Sequence, residues 1–335
     1  MDRRTLARLL AAGGALIVLG ACSMLPAAFR AGSRPRTFES RDFVVVLVQP
    51  SDTPESLAAT FLGDPAKAWM IEDYNNVRDL TPGQEVVIPK RDWNASGVFP
   101  AGYQLVPVLV YHGLAPQARG RLVIAAGAFA EQMRYLKTNG YRVVRLADLI
   151  AFTALGRQLP RRSVVLSFDD GYRSFLLYGY PVLKELGFTA TLFVYTDYVG
   201  TGRNALGWDD LRRLAGEGFE VEAHSKSHGD LRRGPAETGE QYARRMQAEL
   251  RDPIASFQRQ LGRTPRILAY PYGAYDAALL EQVKESGYVA AFSVHREANP
   301  SFGDPLMLDR CQIYSDMTLE DFARNLTVFR EEEIR

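Results

Sequence analysis

The stretch Ser163-Val164-Val165-Leu166-Ser167-Phe168-Asp169-Asp170-Gly171 decides how this chain reads. A short, almost continuously apolar run rich in valine predicts a strand buried on both faces, as in parallel sheets. The run stops on two carboxylates and a glycine, which puts charge at the strand's C-terminal end. Similar runs recur at 106–111, 141–145, 190–195, 219–223, 266–270 and 288–294. Helical periodicity falls between them at 129–138, 147–155, 172–186, 208–216, 240–261 and 275–285. Asn139-Gly140 and Gly187 supply helix stops. Seven strands alternating with helices predict an α/β fold with a parallel sheet, open or closed into a barrel.

Polar residues gather at the ends of these runs. His112 follows the first, Asp169 and Asp170 follow 163–168, His224 follows 219–223, and Pro271-Tyr272 follows 266–270. In a parallel barrel the C-terminal strand ends share the face that carries the active site. Residues far apart in sequence are therefore expected to meet there. His224-Ser225-Lys226-Ser227-His228 holds two of the chain's four histidines. Two imidazoles and a carboxylate make a three-ligand set for a divalent metal with one position open. Such a set suits water activation better than structural support. An Asp-Gly pair alone is often just a turn; convergence is what points to chemistry.

The chain has 335 residues, enough for more than one core, and a formal net charge of +1. That balance gives no argument for a nucleic-acid partner. Arg3 and Arg4 precede a short apolar run at 9–21, which reads as a secretory signal. Arg3-Arg4-Thr5-Leu6 also looks faintly like a twin-arginine export signal. Leu19-Gly20-Ala21-Cys22 resembles the lipobox of bacterial lipoproteins, which implies a signal peptide at 1–21, lipid on Cys22 and anchoring to a membrane. Ser23, where an aspartate often retains lipoproteins at the inner membrane, leans towards the outer one. Residues 22–41 read as a tether. With Cys22 lipidated, Cys311 has no partner and is expected to be a small buried side chain.

Residues 42–90 read as a compact strand–helix–helix–strand unit, followed by a linker at 91–104. Asp52-Thr53, Ser56-Leu57-Ala58, Tyr74-Asn75-Asn76 and Pro82-Gly83-Gln84 resemble the LysM module, which implies binding to glycans built on N-acetylglucosamine.

Ser167 to Gly171, His224 to His228 and Tyr270-Pro271-Tyr272-Gly273 resemble the first three motifs of the NodB-type polysaccharide deacetylases, carbohydrate esterase family 4. Within the span 105–330 this implies a deformed (β/α)7-type barrel. The resemblance makes Asp170, His224 and His228 ligands of zinc or another divalent ion. It makes Asp169 the base that takes a proton from the attacking water, and Tyr272 a backbone N–H donor to the oxyanion. The implied substrate is an acetylated glycan polymer: peptidoglycan, poly-N-acetylglucosamine or a chitin-like chain.

The chain also departs from the pattern. It lacks the late Leu-x-His motif of the general acid, and His295 does not fit it. His112, placed as in the poly-N-acetylglucosamine deacetylase branch, is the candidate acid. Ala269 stands where many members carry an arginine beside the base, and no tryptophan follows Trp208. These losses predict a less buttressed base and a more open groove. They motivate an alternative, a weak or inactive glycan-binding scaffold. A second alternative, an amide hydrolase for a small non-sugar substrate, sits poorly with a glycan module and a lipid anchor.

Overall fold

Seven short parallel strands build the larger, C-terminal part of the protein. Their spatial order is Ala290–Phe292, Ile267–Ala269, Glu220–Ala223, Thr191–Val194, Ser163–Asp169, Val108–Tyr111 and Cys311–Gln312. Every neighbouring pair is parallel. The sheet curls into a half-barrel, as a deformed (β/α) barrel requires. This computed structural model describes residues 37–333. The expected signal peptide, Cys22 and most of the expected tether lie outside the described residues.

Six of the seven expected strands take their places on this path. The exception is 141–145, of which only Arg142–Val143 forms a strand, paired with the start of Ser163–Asp169 as a branch. The missing place is filled by Cys311–Gln312, which sequence patterning does not show because it is two residues long. One segment then closes the curl. Leu308 bridges to Phe292 at one edge, and Cys311–Gln312 pairs with Val108–Tyr111 at the other. Cys311 is free and buried, as expected.

Alternation sorts the side chains. Val164, Leu166 and Phe168 face the main core under the helices, with Leu109, Leu192 and Val221. Val165 faces a second core inside the curl, with Val108, Phe193 and Phe292. Asp169 has the parity of Val165, so its side chain points into the barrel. Helix Leu146–Thr153 joins the inner core through Leu146, Leu149 and Phe152. The Glu220 carboxylate accepts from Leu146 N and Ala147 N at 2.6 and 2.9 Å, capping that helix from the start of a neighbouring strand. The two longest expected helices contain π-helical turns, at Phe175–Gly179 and Gln247–Arg251.

The N-terminal unit has one strand more than expected. Thr37–Glu39, inside the stretch read as tether, pairs antiparallel with Phe43–Leu47, which pairs with Glu85–Pro89. Helices Pro54–Leu62 and Ala68–Asn75 cover this sheet around Val44, Val46, Leu57, Ile71, Val86 and Ile88. Thr53 and Ser56 cap the first helix reciprocally. The Asn75 amide bonds both backbone groups of Val87, at 2.7 and 2.9 Å, locking the second helix to the last strand.

The expected linker is also more ordered than its composition suggests. Val98–Phe99 and Gly102–Gln104 pair with each other, and the latter pairs with Phe329–Glu331 near the C-terminus. Gln158 Oε1 accepts from both Trp93 N and Asn94 N at 2.9 Å. Arg161 N donates to Asp73 at 2.9 Å, and Arg142 pairs with Glu72 at 2.6 Å. All these barrel partners sit at or before the starts of strands. The small unit is thus attached at the end of the barrel opposite the face where strand ends gather.

Candidate metal centre and active site

The strand ends meet where the sequence places the chemistry. His112, Asp169, Asp170, His224, His228 and Tyr272 all line one cavity of about 280 Å³. Asp169 is the last residue of its strand, and Asp170 turns out of it with φ 73°. Ser225, His228 and Tyr272 also have positive φ, of 67°, 63° and 60°. Among the described residues only six non-glycines adopt such angles, and four belong to these loops. Each costs on the order of 1–3 kcal/mol, and such strain is retained where a site needs the geometry.

The three expected ligands are preassembled. Asp170, His224 and His228 offer ligand atoms that all lie within 4.8 Å of one another. His224 Nδ1 is 2.8 Å from the Ala269 carbonyl, which can only accept, so the proton sits on Nδ1. The Nε2 lone pair is then bare, 3.6 Å from Asp170 Oδ1. His228 Nε2 lies 3.3 Å from the same oxygen. Asp170 Oδ1 is buried and without a hydrogen-bond partner. Lone pairs facing an orphaned carboxylate oxygen are what a divalent cation would satisfy, so the residues fit a metal.

The two carboxylates have opposite electrostatics. Burial pushes Asp170 up, to about 6, with neighbouring Asp169 adding to the rise and His112 opposing it. Burial also acts on Asp169, but Arg310, with His224 and His112, outweighs it and holds Asp169 at about 2. Burial lowers His224 to about 4 and lowers His228 as well. Both imidazoles are thus neutral near pH 7, as metal ligands must be.

Arg310 corrects the expectation of a weakly buttressed base. Ala269 indeed lacks a side chain to reach Asp169, and its carbonyl holds His224 instead. The missing guanidinium comes from the closing segment. Arg310 is fully buried and grips Asp169 with two bonds, at 2.7 and 2.8 Å. Its Nε donates to the Ser293 carbonyl at 3.1 Å. Sequence reasoning missed it because the signal available, an arginine before a two-residue strand, is too small to place.

His112 lines the same cavity, and its Nδ1 is buried without a hydrogen-bond partner. His295 does not line the cavity; its side chain is mostly exposed and lies 3.6 Å from Asp309. Tyrosine rings surround His228. Tyr272 and Tyr195 approach it at 4.9 and 5.2 Å between centroids, Tyr198 stacks on Tyr195, and Tyr172 meets Tyr198.

Known proteins resemble the chain in sequence and fold. Residues 156–291 match the family model described as polysaccharide deacetylase. YxkH of Bacillus subtilis (strain 168), whose name gives it provisionally as a polysaccharide deacetylase, is 26% identical over 183 residues, 55% of this chain and 62% of that protein. The poly-beta-1,6-N-acetyl-D-glucosamine N-deacetylase of Escherichia coli (strain K12) is 23% identical over 244 residues, 62% of this chain and 36% of that protein. The solved structure of a de-N-acetylase from Aggregatibacter actinomycetemcomitans has a TM-score of 0.60 at 25% identity, over 66% of this chain and 99% of that one. The chain spans less than two thirds of the length of these two curated relatives. Residues 156–291 are thus similar to polysaccharide deacetylases, and the barrel that contains them shares its fold with the de-N-acetylase structure.

Proposed function

We propose that this chain removes acetyl groups from N-acetylglucosamine units of a cell-envelope polysaccharide. In this reading the small unit is a LysM module that holds glycan, and lipid on Cys22 anchors the chain to a membrane, the outer one where two exist. The observation that carries it is the convergence of six chemically matched residues on one cavity. The name of the Escherichia coli relative supports an N-acetylglucosamine polymer as substrate.

Asp170, His224 and His228 would hold a divalent metal, which we take to be zinc. When bound, such an ion polarises a carbonyl as a Lewis acid and acidifies water. Asp169, kept ionised by Arg310, accepts a proton from the water that attacks the acetamide carbonyl. The Tyr272 backbone N–H is assigned to the oxyanion. His112 donates the proton that lets the amine leave. The tyrosines around His228 offer faces on which sugar rings can pack.

The scaffold alternative drew on the missing arginine and on the missing late motifs, and Arg310 removes the first of these grounds. The test is acetate release from peptidoglycan, chitooligosaccharides and poly-N-acetylglucosamine by the Zn2+-loaded protein. Asp169→Asn and His112→Ala should each lose at least about a hundredfold in kcat. If wild type releases no acetate from any of these, the reading fails.

A further inference from the structure

Glu249 is one of the buried carboxylates that the proposed chemistry leaves unused. Glu249 is only 8% exposed, yet it sits on a helix whose outer side faces solvent. It lies within the π-helical turn Gln247–Arg251, which interrupts the α-helical run between Gly239–Met246 and Asp252–Leu261. A π-bulge shifts the helical phase by a residue, and such turns recur at functional sites. Glu249 reaches the loop between the two ligand histidines. Its Oε2 accepts from Lys226 N at 3.1 Å and Ser227 N at 3.0 Å, and its Oε1 accepts from Ser227 Oγ at 2.6 Å.

That loop is strained at both ends, with Ser225 at φ 67° and His228 at φ 63°. Ser225 Oγ accepts from His228 N at 3.0 Å. The three consecutive N–H groups of Lys226, Ser227 and His228 are therefore all held by side-chain oxygens, two of them by Glu249. On the other side, the Ser225 and Lys226 carbonyls accept from Thr196 N and Asp197 N. We propose that Glu249 is a positioning residue for the metal centre. It holds the strained loop so that His228 Nε2 stands beside Asp170 before any ion arrives. The inference rests on the reading that Asp170, His224 and His228 bind a divalent metal.

The test is a Co2+ titration of the metal-stripped full chain, read by visible absorption and by competition with a chelating dye. Thermal unfolding without metal is measured alongside. Glu249→Met keeps the volume and removes every acceptor; Co2+ affinity should fall about 10–100-fold in a folded protein, the range for outer partners of metal ligands. Glu249→Gln keeps one oxygen for both N–H groups, and its amide can donate to Ser227 Oγ. It should stay within about threefold of wild type, and equality with Glu249→Met would overturn the hydrogen-bond account. Ser227→Ala removes a single bond and should weaken Co2+ roughly threefold to tenfold; it decides the matter if Glu249→Met does not fold. Wild-type affinity in Ser227→Ala, and in Glu249→Met if that folds, sinks the proposal, even if metal-free stability drops. Failure of the wild type to bind Co2+ would instead sink the metal centre itself.

Discussion

Asp169 and Asp170 are adjacent in sequence but differ in what holds them. Asp169 is gripped by a buried guanidinium, whereas Asp170 faces two neutral imidazoles. Arg310→Met leaves Asp169 buried without its counter-charge, so stability should fall by about 3–5 kcal/mol in denaturant unfolding. Asp169 lies below its ordinary value of 3.8, so its contribution to folding is present above that pH and lost as pH falls through about 2. Without Arg310 burial dominates, and the acid limb of kcat/KM should move to higher pH. An unmoved limb would argue against Asp169 as the base. Asp170 behaves in the opposite way. Its value is raised from 3.8 to about 6, so its contribution to the metal-free fold is present below 3.8 and lost as pH rises through about 6. A metal competes with that proton. Zn2+ should raise the melting temperature most above pH 6, with affinity declining as pH falls below it. The roles proposed for these aspartates come from resemblance alone; strand parity explains why Asp169 points inward.

Elements were legible where their pattern is long. The Ser163–Asp169 run has enough apolar residues to announce a doubly buried strand, and the helix at Trp208–Gly216 shows the bounds its sequence implies. The closing segment Leu308–Gln312 has no such pattern, since its place is set by edges remote in sequence: Phe292 on one side and Leu109 with Val110 on the other. The turn Pro271–Gly273 is similar. A Cβ on Gly273 would stand 2.4 Å from Val294 Cγ2 and 2.6 Å from Val294 N, at φ +68°. Only the folded neighbour reveals that constraint. Gly187, which ends helix Tyr180–Leu186 at φ +70°, has nothing within 4 Å of such a Cβ. Gly273→Ala and Gly187→Ala should both lose stability, by about 1 kcal/mol or more at these angles. Only Gly273→Ala should also lose acetate release, because it displaces the Tyr272 turn. Equal activity in the two would show that the turn tolerates movement.

At the scale of the whole molecule, the small unit and the cavity lie at opposite ends of the barrel. The composition of 91–104 suggested a loose linker, because proline, glycine and serine do not reveal the partners that pin them. Those partners are Gln158 and the Phe329–Glu331 strand, while Arg161 N and Arg142 hold the small unit itself through Asp73 and Glu72. The Ser163–Asp169 strand alone spans roughly 20 Å at about 3.3 Å per residue. A sugar held on the small unit therefore could not be the sugar in the cavity; in the proposed function the unit is a fixed handle on the substrate polymer. Breaking the handle's footing should leave the chemistry intact. Gln158→Ala with Arg142→Ala removes two backbone contacts and one half-exposed ion pair, a loss of roughly 1–3 kcal/mol at the junction. Limited proteolysis should then cut faster between residues 90 and 98. On a short soluble acetylated oligosaccharide, kcat/KM should stay within about twofold of wild type, below the ~1.4 kcal/mol that marks a tenfold change. A parallel loss on that small substrate would mean that the junction supports the cavity itself, and the separation of holding from cutting would be wrong.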